Sequence, residues 1–179
     1  MEKKLPLEEM SISDVYVKSQ YVVTYKIPVY QRNYAWEEEQ ITALVKDVYD
    51  SWQKNSSAPY YIGTLVTYRR NDREYEVIDG QQRLTTVYLI IKAMGIKDIK
   101  NKLTYSARST STSTIMRLNE DLDLGDDADA GIRNGYGYAK KALETIGLSD
   151  ERDGFQEYFL QHVKLIHYDV PKDVNQSLL

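Results

Sequence analysis

Five polar residues, Asp79-Gly80-Gln81-Gln82-Arg83, have the types and the spacing that could hold an anion. A short β-favouring run, Glu74–Ile78, precedes them. Apolar residues follow at the spacing of a helix face that packs on a core: Leu84, Val87, Tyr88 and Ile91. The free N–H groups of such a helix start, beside the positive end of the helix dipole, form an anion site. Gly80 would let a ligand approach the backbone closely.

Side chains of the first helical turns extend the same prediction. Helical side chains lean toward the N-terminus, so the guanidinium of Arg83 can reach back to the same anion. Thr85 and Thr86 add hydroxyls nearby. A structural alternative is a capping box, with Asp79 as N-cap and Gln82 at N3, which implies no ligand and contributes roughly 1 kcal/mol. Both interpretations can hold together, because a capped N-terminus still leaves donors free.

A second polar stretch, Tyr30–Trp36, carries Gln31 and Arg32 among aromatic residues. If this stretch is extended, Arg32 shares a face with Tyr30, Tyr34 and Trp36, and Gln31 lies on the other face. An arginine flanked by aromatics is consistent with phosphate or base contact. The alternative is an arginine stacked on its neighbours at the surface.

Regular elements must position these residues, and their pattern predicts an α/β fold with a small mixed sheet. We predict strands over Tyr21–Val29 and Tyr60–Arg69, the second of them central, and a helix over Glu37–Lys54. Asn71–Arg73 makes a hairpin between the Tyr60–Arg69 strand and Glu74–Ile78. The arginines near this hairpin, Arg69, Arg70 and Arg73, are either a solvated turn or a nucleic-acid contact.

The composition of the chain changes after Gly95. Arg108–Thr114 is low in complexity and predicts either a linker or the capped start of a short helix. An acidic loop, Asp121–Asp129, lacks the ligand spacing of a calcium-binding loop. Two further helices, a packed His162 and a strand over Val163–Val170 follow. Leu178-Leu179 resembles the start of another helix, so we expect the chain to be a fragment of a longer protein.

Composition excludes several classes of protein. Among 179 residues there is no cysteine, so disulfides and thiolate metal sites are excluded, and the presence of only two histidines, His162 and His167, argues against a zinc centre. We expect a cytoplasmic protein without membrane contact, because the chain has no membrane-helix or signal-peptide pattern. A net charge of -4 argues against a surface that binds nucleic acid as a whole, so phosphate binding must be local.

Two motifs together resemble a known family. IPVYQRNYAW (Ile27–Trp36) and EVIDGQQRLTT (Glu76–Thr86), separated by a helix and a YIGTLV strand, resemble the N-terminal domain of GmrSD-type restriction proteins. The resemblance covers about Ser11–Gly95, and the later helices fit in outline. It implies a ParB/sulfiredoxin-like domain over residues 1–100 and a mainly helical extension, ending in a strand, over residues 101–179. No HNH-type nuclease motif is present.

The resemblance also implies a function. The family's domain binds a nucleoside triphosphate, hydrolyses it in some relatives, and controls a DNA-cleaving domain in defence against phage. Carried over by position, the pocket residues are Gln31 and Arg32 from the strand side and Asp79, Gly80, Gln81, Gln82 and Arg83 from the helix side.

The same resemblance implies roles for these residues. Arg83 would neutralise phosphate charge, and Asp79 would hold Mg²⁺, position a water molecule or cap the helix. Mg²⁺ with the nucleotide is the implied cofactor. DNA, reached through the full-length protein, is an implied partner, and homo-oligomerisation is left open. No Walker A motif is present, so this is not a P-loop enzyme.

Two other hypotheses stay open at the level of the sequence. One is a non-hydrolysing module that grips the DNA backbone or a modified base through Arg32, Arg69, Arg70 and Arg73. The other is an interaction scaffold in which the motifs are only structural.

Overall fold

The structure, a computed structural model, describes residues 7–171 and contains one mixed sheet in that range. Its strands are β1 (Leu7–Ser11), β2 (Thr24–Ile27), β3 (Tyr60–Asn71), β4 (Glu74–Asp79), β5 (Lys102–Tyr105) and β6 (Val163–Asp169). Its helices are α1 (Ile12–Tyr16), α2 (Glu38–Lys54), α3 (Gln81–Ala93), α4 (Ser109–Asn119), α5 (Ala130–Thr145) and α6 (Arg152–Gln161).

The strand order is β1-β6-β3-β4-β2-β5. β3 and β4 form the predicted antiparallel hairpin, and β1 is antiparallel to β6. The remaining pairs, β2 with β4, β2 with β5 and β3 with β6, are parallel. The predicted α/β class with a mixed sheet is confirmed, and β3 lies inside the sheet as its apolar sequence predicts.

Helix α3 is buried along most of its length. Alternate strand residues such as Tyr25, Leu65, Val77 and Leu165 are buried in the core that the helices share. Because α5 also packs on α3, nearly every α3 side chain from Leu84 to Lys92 is buried rather than a single stripe. The helix that carries the motif is therefore held rigidly.

The stretch Tyr30–Trp36 is not a strand, which corrects one expectation. β2 ends at Ile27, just before Pro28, which has no N–H to donate. The Gln31 N–H then bonds the Pro28 carbonyl in a turn. Tyr34 is buried while Tyr30 and Arg32 are exposed, so these residues do not share one face.

Helix α4 begins at Ser109, so the Arg108–Thr114 segment is the start of a helix and not a linker. Its N-cap is Arg108, and no Ser or Thr side chain caps it. The acidic segment beyond it is a loop, as predicted, and the Asp129 carboxylate caps α5 by accepting from the Ile132 N–H. His162 stacks on Tyr158 with ring centroids 5.4 Å apart, which agrees with a packed histidine.

Strands from both sides of residue 100 belong to the same sheet. β5 pairs with β2, and β6 lies between β1 and β3. The predicted boundary at residue 100 therefore does not separate two sheets. The helix expected to start at Leu178-Leu179 lies outside the described residues. Within residues 7–171, no helix combines the length and the apolar character needed to span a bilayer.

Candidate functional site

The two motifs are in direct contact through glutamine side chains. Gln31 Nε2 donates to the Ile78 carbonyl at 2.8 Å. Gln82 Oε1 accepts from the Ala35 N–H at 2.9 Å, and Gln82 Nε2 donates to the Asn33 carbonyl at 3.2 Å. The structure thus brings the segment 31–35 against the start of α3. Both polar ends of the Gln82 amide are used to hold that segment.

The two threonines predicted near the phosphates serve packing instead. Thr86 Oγ1 donates to the Gln82 carbonyl and lies 2.8 Å from the hydroxyl of Tyr34. Thr85 Oγ1 lies 2.5 Å from the hydroxyl of Tyr105. Burial raises the pKa of Tyr34 to about 12, so its phenol stays protonated at neutral pH. Thr85 and Thr86 are buried, and the structure does not bring their hydroxyls to the open helix start.

The capping-box interpretation of Asp79 and Gln82 is wrong. The N-cap of α3 is Gly80, with φ at 98°, and no side chain caps this helix. Gln82 is turned toward Asn33 and Ala35, so it cannot close the box. The Asp79 side chain is exposed at the end of β4 and has no hydrogen bond or ion pair within residues 7–171. The first N–H groups of α3 consequently lack the side-chain acceptor that a capping residue would supply.

Gly80 and Arg83 both lie on the same point of β3. A Cβ atom at Gly80 would come within 2.7 Å of the Thr64 carbonyl oxygen, so a side chain does not fit there. Arg83 Nη1 donates to that carbonyl at 3.3 Å. A Cβ atom at Gly63 would lie 2.8 Å from Arg83 Nε and 2.9 Å from Arg83 Cζ. The guanidinium therefore rests on the bare backbone of β3, beside the turn that begins α3.

Arg32 lies in the segment that is anchored beside the start of α3. Its neighbours in the chain are both anchored, Gln31 on Ile78 and Asn33 on Gln82. The side chain of Arg32 is exposed and has no hydrogen bond or ion pair to the described part of the chain. That Arg32 and Arg83 share one anion stays a prediction. Gln81 occupies the first position of α3 and is half-buried.

The hairpin arginines are engaged locally. Arg70 forms an ion pair with Glu76, and Arg69 Nη2 lies 3.4 Å from Asp72 Oδ1. The Arg73 guanidinium carbon lies 5.5 Å from the centre of the Tyr21 ring. Much of the positive charge of this hairpin is therefore balanced before any ligand arrives.

No ready-made metal centre accompanies the turn. The described residues contain no group of three or more Asp, Glu, His or Cys side chains that could hold a metal ion. A cation at Asp79 would thus depend on ligands from a bound phosphate, as Mg²⁺ at nucleotide sites commonly does.

Sequence reasoning missed Gly63 and Thr64 as parts of the site. One signal for them was available, because a glycine inside a strand often marks a close approach of another group. The expectation that Tyr34 shares a face with Arg32 is wrong, because Tyr34 is buried against α3 through a contact across 52 positions of the chain.

Comparison with protein families gives one result that covers both motifs and the later elements. The model described as GmrSD restriction endonuclease, N-terminal domain, matches residues 12–178. A search of curated proteins returned no match. The family match includes α4, α5, α6 and β6 as well as the two motifs. The chain therefore belongs to the family of GmrSD restriction endonuclease N-terminal domains, which implies a role in a restriction system.

Proposed function

We propose that this chain binds a nucleoside triphosphate at the start of α3, as the regulatory domain of a DNA restriction protein in defence against phage. One observation carries the proposal: α3 begins at Gly80 without a side-chain cap, and the segment 31–35 and the Arg83 guanidinium are both held next to that start. Backbone donors and a nearby cation are what a phosphate group requires.

Charge favours a site with more than one arginine. A triphosphate carries several negative charges, and a helix N-terminus supplies only about half a unit of positive charge. Arg83 on α3 and Arg32 on the anchored segment 31–35 would supply two further charges from separate elements. Neither of them is paired with an acidic side chain within residues 7–171. Their charges are therefore free to act on a ligand.

Asp79 is the residue that we assign to the metal-nucleotide complex. Its exposed carboxylate directly precedes Gly80 and would hold Mg²⁺ together with phosphate oxygens. Hydrolysis would then depend on positioning and on charge stabilisation rather than on a covalent step. Phosphate release by the wild-type chain and by Asp79→Asn, each with its DNA-cleaving partner domain present, tests turnover separately from binding.

The DNA-binding alternative gains less support from the geometry. It requires Arg69, Arg70 and Arg73 as phosphate contacts, and two of these are already paired with carboxylates in their own hairpin. Phosphate contacts to DNA would have to break those pairs first.

Two single variants, Arg83→Ala and Arg73→Ala, distinguish nucleotide binding from DNA binding. Titration with labelled nucleoside triphosphates, with and without Mg²⁺, should show that Arg83→Ala lowers affinity by about tenfold or more, as the loss of a charge-assisted contact does. Arg73→Ala should leave that affinity unchanged. If Arg73→Ala weakens binding of a DNA duplex while no nucleotide binds the wild-type chain, the DNA-binding function replaces the proposed one.

A further inference from the structure

Arg108 reaches the first motif from a distant part of the chain. It lies between β5 and α4, 77 positions after Gln31. Its Nη2 group donates to the Gln31 carbonyl and, at 3.3 Å, to the Val29 carbonyl. One guanidinium nitrogen therefore holds two backbone carbonyls of the turn that precedes Arg32.

Gln31 is held at both of its ends by this contact. Its backbone carbonyl accepts from Arg108, and its side-chain amide donates to the Ile78 carbonyl at 2.8 Å. Ile78 lies two positions before Gly80, so the turn is fixed between the start of α4 and the second motif. Val29 and Tyr30 on the same turn are exposed and add little packing of their own.

The base from which Arg108 acts is itself rigid. Tyr105 is buried, and its hydroxyl lies 2.5 Å from Thr85 of α3. The backbone of Tyr105 also exchanges two hydrogen bonds with the Thr112 side chain, at 2.9 and 3.1 Å. Arg108 thus joins the first motif to a turn that is already bonded to α3.

The positive charge of Arg108 is not neutralised by an acidic side chain within residues 7–171. No ion pair involves Arg108 among residues 7–171, and its Nη1 atom is buried there without an acceptor. A buried donor without an acceptor costs free energy, so packing stability alone gives little reason for an arginine at this position. The hydrogen bonds from Arg108 to the Val29 and Gln31 carbonyls offset that cost.

We propose that Arg108 is a positioning residue of the nucleotide site, which holds the turn 28–31 so that Gln31 and Arg32 stay beside the start of α3. The ligand in this inference rests on the function proposed above. The bracing of the turn does not, because it is present without a ligand. A failure of the bracing role of Arg108 can therefore be distinguished from a failure of nucleotide binding.

The experiment compares Arg108→Ala and Arg108→Lys with Arg117→Ala. Arg117 is a matched control, because it lies on α4, the helix that Arg108 precedes, and also donates to backbone carbonyls, those of Asp123 and Leu124. Amide hydrogen exchange of residues 28–35, measured without nucleotide, reports the turn. Titration of the same proteins with a labelled nucleoside triphosphate and Mg²⁺ reports the site, and thermal melts report overall stability.

We expect Arg108→Ala to speed exchange in residues 28–35 by about tenfold and to weaken nucleotide binding by a similar factor, with Arg117→Ala near wild type in both. Arg108→Lys, which keeps the charge and a donor, should recover part of both losses and serves if Arg108→Ala does not fold. Unchanged exchange in residues 28–35, exchange that rises evenly over the chain, or unchanged affinity despite a loosened turn would each overturn the inference. If the wild-type chain binds no nucleotide, the proposed function fails and the exchange comparison alone decides the brace.

Discussion

The position of the Arg83 guanidinium depends on the bare backbone of Gly63 as well as on the Thr64 carbonyl. Gly63 has φ at 131°, a conformation that residues with a side chain rarely adopt, and it sits at an irregular step in the pairing of β3 with β6. The absence of a side chain leaves the space that Arg83 occupies. Gly63 thus contributes to the candidate site without presenting any functional group to a ligand.

A double-mutant cycle tests this packing without any ligand. Gly63→Ala should destabilise the wild-type protein by about 2 kcal/mol, from backbone strain together with overlap with Arg83. In an Arg83→Ala background the overlap disappears, so the same substitution should cost about 1 kcal/mol less. Denaturant unfolding of the four proteins gives the coupling. Strict additivity of the two substitutions would mean that Gly63 does not act on Arg83.

Asp79 provides a second test at the scale of the residue. Because Asp79 makes no cap and no ion pair in the described structure, Asp79→Ala should change the free energy of unfolding by less than about 0.5 kcal/mol. A capping role would instead cost roughly 1 kcal/mol. Urea unfolding distinguishes the two values, and Asp129→Ala, which removes the cap of α5, is the positive control.

Helix α3 holds the first motif, Ile27–Trp36, in place through side chains of its first two turns. Through Gln82 it holds Asn33 and Ala35, and through Thr86 it holds Tyr34. Gly135 of α5 permits the same arrangement, because a Cβ atom there would come within 2.6 Å of the Tyr34 ring. The position of the first motif is therefore set by its contacts with α3.

Gln82→Ala and Gln81→Ala form a matched pair for this clamp. Gln82→Ala removes two hydrogen bonds and leaves a backbone N–H and a carbonyl without partners, so we expect a loss of about 2 kcal/mol in unfolding free energy. Gln81, the adjacent glutamine, makes no side-chain hydrogen bond with a described residue, and Gln81→Ala should cost less than about 0.5 kcal/mol. Equal losses in chemical denaturation would contradict the clamp.

The pairing of β3 with β6 contains a buried histidine. Thr67 Oγ1 lies 2.7 Å from His167 Nε2 and donates to Asp169 at 3.2 Å. Burial lowers the pKa of His167 below its usual 6.5, although Asp169 and Glu8 act in the opposite direction. The folded protein therefore favours neutral His167, and the unfolded chain takes up the proton first as the pH falls.

Stability should consequently decline as the pH drops below about 6.5, until it passes the lower folded pKa. Above that range His167 is neutral in both states and contributes no pH dependence. Thermal melts between pH 7.5 and 5.5 should show a smaller decline for His167→Gln than for the wild-type protein. His162→Gln is the control, and an equal decline in wild type and His167→Gln would contradict the assignment.

At the scale of the whole molecule, the sheet is completed by the last described strand. β6 lies between β1 and β3, so the interior position of β3 depends on a strand about a hundred residues later in the chain. Val163, Leu165 and His167 also contribute buried side chains to the core. The candidate site stands on β3, so it depends indirectly on β6 as well.

A chain ending at residue 100 should accordingly fail to fold cooperatively. Without β6, β1 has no partner and β3 becomes an exposed edge, which leaves backbone donors and apolar side chains in water. Circular dichroism and urea unfolding of residues 1–100 and of residues 1–179 provide the comparison. A sharp, cooperative transition in the shorter chain would show that the first hundred residues form an independent domain.

The order and type of most elements, the β3–β4 hairpin and the strand–turn–helix at Gly80 follow from the amino-acid sequence alone. These features depend on local periodicity and on turn residues, which neighbouring positions decide. The pair of motifs also identified the family, because their residues and their order are specific without reference to geometry. Asp79, Arg83 and Arg32 were selected on the same basis.

The contacts of those residues, by contrast, depend on how distant segments pack together. Gln82 could cap its own helix or bind a neighbouring segment, and its local sequence is compatible with both, so the approach of Asn33 and Ala35 made the choice. The contact of Arg108 with Gln31 spans 77 positions and has no local signal at all. The use of Thr85 and Thr86 for packing follows likewise from tyrosines that arrive from β5 and from the first motif. Contacts between distant segments depend on how the whole sheet and its helices assemble, and periodicity within one segment carries no information about them.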